Sequence, residues 1–188
     1  MVNLTDAHST QIANLKSMCV LAGVVLSRKG RFMEMKVRGY NGHGQGSDII
    51  RWFTFGSFSH VSFVFSDRDR TEEIESIQGK GVIAHAPWSE DEKDFVEYDV
   101  PVSEEHILEA WQLAASYVGS KYDGMGIFGL LLRRNKHDKY RWFCSELVAY
   151  VLLKIDHPIS RREPYRETPT SVMESFRLLS PLTEVGGA

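Results

Sequence analysis

Two residues in this sequence have the types and settings for thiol chemistry. Cys144 stands in the run Arg141-Trp142-Phe143-Cys144-Ser145-Glu146-Leu147-Val148, and His60 in Phe58-Ser59-His60-Val61-Ser62-Phe63. The first run opens an amphipathic helix with Cys144 in its first turn. Unpaired backbone N–H groups and the helix dipole stabilise a thiolate there. The same N–H groups can bind the oxyanion formed when a thiolate attacks a carbonyl, and Trp142 and Phe143 would help exclude water. His60, on an apolar strand, supplies a rigidly mounted base and partner for the thiolate.

Each residue also has an ordinary role. A free cysteine on a helix is commonly a small buried hydrophobe, and a strand histidine is commonly a hydrogen-bonded core residue. A working pair needs a third group to orient the second imidazole nitrogen. Glu75 is the first candidate, with Gln78 and His85 as alternatives, although Glu75 taken alone reads as an exposed strand carboxylate. Tyr122 and Ser145 are the candidate substrate- or oxyanion-binding residues. Tyr122 would act as a hydrogen-bond donor, whereas by default its setting, Lys121-Tyr122-Asp123-Gly124, is a turn. Thr168-Pro169-Thr170 reads as an ordinary helix start with no chemistry assigned.

The elements that must hold these residues follow from periodicity. Cys19 to Leu26 is a β-type run, and Gly39 to Gly46 reads as a glycine-rich surface loop, after which Ser47 caps a short helix over Asp48 to Phe53. His60 to Phe65 is a strand with His60, Ser62 and Val64 on one face, leaving room there for a packed helix. Glu73 to Ile77, Gly81 to His85 and Phe95 to Val100 continue it as an antiparallel meander. Ser103 caps a helix that stops near Gly119, with Ile107, Trp111, Ala114 and Val118 at helical spacing. Further helices are expected around Gly126 to Arg133, over Trp142 to Lys154 with Cys144, Leu147, Val148 and Val151 on one face, and from Thr168 to near Leu179. Strands followed by helices predict an α+β fold, an antiparallel sheet packed against helices.

Composition narrows the function classes. The 188 residues fit one domain, and 43% hydrophobic with 25% charged content is ordinary for a globular protein. The domain is expected over residues 18–180, between an N-terminal lead-in, 1–17, and a C-terminal tail, 181–188. A formal net charge of -3 leaves no footprint for nucleic acid. Two cysteines allow at most one bridge, and the seven histidines show no HxxxH spacing, so neither metal nor cofactor is expected. Met18 to Leu26 is too short to span a bilayer and is wrongly flanked for a signal peptide, so stable membrane insertion and ordinary export are not expected.

A set of short motifs occurs in order: Gly23-Val24-Val25-Leu26, Ser59-His60-Val61-Ser62, Ile74-Glu75-Ser76 with Gly81-Val82, Gly119-Ser120-Lys121-Tyr122-Asp123, Phe143-Cys144-Ser145-Glu146-Leu147-Val148 and Thr168-Pro169-Thr170. Together they resemble the circularly permuted branch of the NlpC-type papain-like cysteine peptidase superfamily, the YiiX-like proteins, over roughly Met18 to Leu179. The Phe-Cys-Ser-Glu-Leu-Val string is the most specific piece, and the glycine-rich stretch Gly39 to Gly46 is a departure. The resemblance implies a permuted papain-like fold in which the histidine strand precedes the cysteine helix. It also implies Cys144 as nucleophile, His60 as base and Glu75 as third member.

The activity so implied is a peptidase or amidase cleaving peptidoglycan stem peptides. With no export signal, delivery would be non-classical, as for a secreted antibacterial effector or a phage-type lysis enzyme. A secretion apparatus or an immunity protein would then be its partner. The alternatives are a lipid or small-molecule acyl hydrolase or acyltransferase, since the scaffold also resembles lecithin–retinol acyltransferase, and a non-catalytic binding module.

Overall fold

Five short runs mixing β-branched, aromatic and inward-turned polar residues form the central sheet. The computed structural model describes residues 34–41, 56–89, 94–123 and 140–179, all within one compact unit, Met33–Ala188. The strands are β1 (Glu34–Tyr40), β2 (His60–Ser66), β3 (Thr71–Ile77), β4 (Gly81–His85) and β5 (Phe95–Asp99). They pair antiparallel throughout, in the order β4-β3-β2-β1-β5. The interior of β2 is buried on both faces, Val61, Phe63 and Phe65 on one and Ser62 and Val64 on the other.

Three helices follow, α1 (Glu104–Ser116), α2 (Cys144–Lys154) and α3 (Pro169–Leu179), with a 3-10 turn at Pro164–Arg166. Ser103 caps α1, accepting from the His106 backbone N–H, and Glu104 and Glu105 meet the positive end of its dipole. Thr168 and Ser171 exchange hydrogen bonds at the start of α3: the Ser171 N–H donates to Thr168 Oγ1 at 3.0 Å and the Thr168 N–H to Ser171 Oγ at 2.8 Å.

The helices lie against the Val61 face of the sheet. A Cβ at Gly39 would stand 2.6 Å from the Met173 side chain, so α3 crosses β1 there, and Gly39 is paired with Val61. On the same face of β3, Glu72 accepts the Trp111 indole N–H of α1 at 2.7 Å. Ser76 Oγ donates to the Trp142 carbonyl ahead of α2. The opposite face carries Arg38, Tyr40, His60, Ser62, Glu73, Glu75 and His85.

After α1 the chain turns at Gly119 and runs beside β4, exchanging backbone bonds with Val82 at 2.9 Å through Gly119 and Ser120. Gly81 permits this approach. Its φ is +83°, and a Cβ on it would lie 2.1 Å from the Ser120 carbonyl oxygen. Two short strands then pair in parallel, β6 (Lys121–Tyr122) with β7 (Arg141–Trp142).

Several expectations are corrected. Gly39 belongs to strand β1, which the glycine cluster disguised as loop. β5 does not extend the meander; it crosses to the far edge and pairs with β1. The helix expected from Trp142 begins at Cys144, because Trp142 joins β7 and Phe143 is extended. Val118 lies past the end of α1 and is exposed. Lys121-Tyr122 is strand rather than turn. The space beside Ser62 is filled by polar side chains, and the helices take the other face. The expected lead-in 1–17, the run Cys19 to Leu26, the glycines from Gly42 to Gly46, the helices over Asp48 to Phe53 and Gly126 to Arg133, and the tail 181–188 lie outside the described residues.

Candidate active site

Phe143 has φ -84° and ψ 153°, so its extended backbone ends the strand-like approach and makes Cys144 the first residue of α2. The first N–H groups of a helix have no partner within it, and at Cys144 they surround the sulfur-bearing residue. Cys144 is a buried free thiol. The aromatic residues before it are buried too. Trp142 packs between Tyr117 and Tyr150, with ring centroids 4.4 and 5.0 Å away, and Phe143 meets Tyr122 edge-on at 5.8 Å.

His60 opens β2 as Cys144 opens α2, and the two elements pack together so that the charge of Cys144 acts on the ring. The other ring nitrogen is accounted for: Nε2–H donates to Glu75 Oε2. Nδ1 is the ring nitrogen that Glu75 does not engage. Burial by itself disfavours a charged imidazole, but the charge and hydrogen bond of Cys144, followed by those of Glu75, push His60 up to about 10. Burial also works against the Glu75 carboxylate, and the bonds and charges of His60 and His85 overcome it, holding the group at about 2. The pair is therefore an ionised carboxylate against a protonated ring.

Glu75, which taken alone reads as an exposed strand carboxylate, is 1% exposed. Its alternatives separate cleanly. Gln78 is exposed in the β3–β4 turn and joins nothing at the site. His85 reaches Glu75 Oε1 through Nε2 at 2.7 Å, so it stands behind the third member rather than replacing it.

Tyr122 is brought to Cys144 by the β6–β7 pairing. Burial, then the charge of Cys144, then Asp123, raise its phenol well above the ordinary range, so it stays a neutral donor. Ser145 is different. Its hydroxyl is fully buried and donates to the Glu167 carbonyl at 2.5 Å, so the side chain does not face the sulfur. Its backbone N–H lies in the first turn of α2.

A second buried carboxylate, Glu73, stands beside the first, and no local pattern announces its burial. Glu73 Oε1 accepts from Tyr40 Oη and from Ser62 Oγ, the latter at 2.6 Å. Its Oε2 faces Arg38 Nη1 and the Trp88 N–H, each at 3.4 Å. The Tyr40 ring lies 5.6 Å from that of His60, and Arg38 is held over Phe95 at 3.8 Å. Glu73, Glu75 and His85 bring their ligand atoms within 4.8 Å of one another, a grouping the histidine spacing did not reveal. Every one of those carboxylate oxygens already accepts a hydrogen bond from the protein, so a cation would have to displace donors that are in place.

Neither protein-family models nor curated proteins match this chain. The site itself combines a thiol at a helix N-terminus, an imidazole packed near it, and a carboxylate fixing the ring. That arrangement can attack a carbonyl, protonate the group that leaves, and hold the oxyanion between those steps. Among the described residues, no helix is long and apolar enough to cross a membrane.

Proposed function

We propose that the protein is a cysteine hydrolase of the peptidase or amidase type. The single observation that carries this is His60 held between the Glu75 carboxylate and Cys144, with Cys144 at the first position of α2. In the proposed reaction the Cys144 sulfur bonds to an amide carbonyl carbon, and the oxyanion is received by first-turn N–H groups, with Tyr122 as a further donor. His60 gives its proton to the nitrogen as the C–N bond breaks, leaving a thioester. Water then attacks the thioester while His60 takes up its proton, and the C–S bond breaks to regenerate the thiolate.

The substrate class comes from the resemblance to permuted NlpC-type peptidases: stem peptides of peptidoglycan, reached by an effector or lysis route, with an immunity protein as the partner to seek. The α+β architecture, with its histidine strand ahead of its cysteine helix, is compatible with the permuted papain-like arrangement. The test is digestion of purified sacculi by wild type, C144A and H60A, with the released fragments identified. Wild type alone should release stem-peptide fragments. Release by C144A would sink the mechanism; release of fatty acid from lipid, with sacculi untouched, would move the enzyme to the acyl hydrolases.

A further inference from the structure

We infer that His85 is a positioning residue of this site, a strut that aims the Glu75 carboxylate at His60. The inference rests on the cysteine-hydrolase reading and extends it by one residue. His85 is tethered at both ring nitrogens, by Glu75 Oε1 at 2.7 Å on Nε2 and by the Ala86 carbonyl at 2.6 Å on Nδ1. Both of those oxygens are acceptors, so the ring faces an acceptor at each nitrogen. The ring cannot swing without breaking one of them.

The mounting of His85 is itself held. Trp88 lies against the ring with centroids 5.5 Å apart. The Trp88 carbonyl accepts from Arg38 Nη1 at 2.9 Å, and its N–H faces Glu73. Arg38 is in turn bound to Glu97 on the edge strand β5, at 2.7 Å. A chain of contacts thus runs from β5 through Arg38 and Trp88 to His85, Glu75, His60 and Cys144. It gives the buried polar face of the sheet a task, because each carboxylate oxygen of Glu75 is assigned to a different histidine and the carboxylate plane is fixed by the two together. Glu73 stands directly across the β3–β4 ladder from His85 and, with Glu75, is a charged group facing it among the described residues.

The test uses the full chain and needs no substrate. The rate of Cys144 alkylation by iodoacetamide is followed against pH in wild type, H85F and H85Q, with thermal melts to establish folding. Phe keeps the ring against Trp88 and deletes both donors; Gln keeps a donor for Glu75. The alkylation rate on the acidic side should fall about tenfold to a hundredfold in H85F, the loss known for outer partners that orient metal-binding histidines, applied here to the carboxylate that orients His60. H85Q should recover most of it. If Phe is not tolerated, H85N, too short to reach Glu75, is used in its place. Unchanged or faster alkylation in folded H85F, or no recovery in H85Q, overturns the role of His85. An ordinary thiol profile in wild type overturns the hydrolase reading itself, and the strut with it.

Discussion

Ser76 Oγ donates to the carbonyl oxygen of Trp142 at 2.7 Å, so the strand that directs Glu75 toward His60 also grips the chain two residues ahead of Cys144. Neighbouring residues on a strand point to opposite faces. Glu75 and Ser76 use that alternation to fix the acid–base side and the nucleophile side of the site from one short segment. Had either been displaced by a one-residue slip, both sets of contacts would be lost together.

Replacing Ser76 by Ala removes this tether from a fully buried position. The Trp142 carbonyl still accepts the Asp123 N–H at 3.0 Å, so the loss should stay near the lower end for a buried hydrogen bond, about 1 kcal/mol. Urea unfolding measures it. The hydrolytic rate should fall by more than the stability change explains, since Cys144 is then less firmly placed; a rate within error of wild type would show that the tether does not position the thiol.

E75Q should move the alkaline limb of the rate–pH profile to lower pH. His60 is held at about 10 against the cost of burial by Cys144 and Glu75. Neutralising Glu75 takes away one of those two supports, so the ring gives up its proton earlier. A pH series of kcat/KM on wild type and E75Q decides it, and a limb that stays in place would mean that Cys144 alone sustains the imidazolium.

The same two groups give stability a pH dependence of opposite signs. Glu75 is lowered from 4.5 to about 2, so its contribution is complete above 4.5 and is lost as pH falls toward 2. His60 is raised from 6.5 to about 10, so its contribution is complete below 6.5 and is lost as pH rises through 10. Both are fully present only between 4.5 and 6.5. Denaturant unfolding at acid, mildly acid and alkaline pH should find the pair's optimum in that window, and the E75Q curve should be flatter on the acid side. A wild-type curve as flat as that of E75Q there would contradict the assignment.

Two glycines offer a matched comparison. Gly79 and Gly81 share φ +83°, but only Gly81 has the Ser120 carbonyl where a Cβ would go. G79A should cost about 1 kcal/mol from the strained backbone alone, and G81A clearly more, because it must also push Ser120 away. Since Ser120 leads directly into Tyr122, G81A should also slow hydrolysis. Thermal melts and rates on the two variants check both statements; equal destabilisation would dismiss the close approach.

The parts of this molecule legible in the sequence are those whose signals are local. Strand β2 announces itself by β-branched and aromatic residues, α1 by its cap and acidic first turn, and Cys144 by its place at the head of an apolar helical repeat. Strand β1 was hidden because Lys36, Arg38 and Gly39 look like loop residues. The sheet pairs them on both sides, with β2 and β5, and Glu97, Glu73 and Met173 meet them from distant segments. Glu75 drew attention as a candidate, yet its burial depends on His60 and His85, which lie on the strands either side of it. The far-edge placement of β5 was equally invisible, since adjacency in sequence favours a meander and only the pairing with β1 contradicts it.

Thr170 contributes one more constraint. Its hydroxyl accepts the Phe58 N–H at 3.1 Å and faces the Phe58 carbonyl at 3.4 Å, so α3 clasps the chain two residues before His60. A cut that removed α3 would leave every reacting atom in the polypeptide and still disarm it, because the imidazole would lose the latch at its root. The first turn of α3 in this way anchors a segment that lies 112 residues earlier in the chain and leads straight into β2.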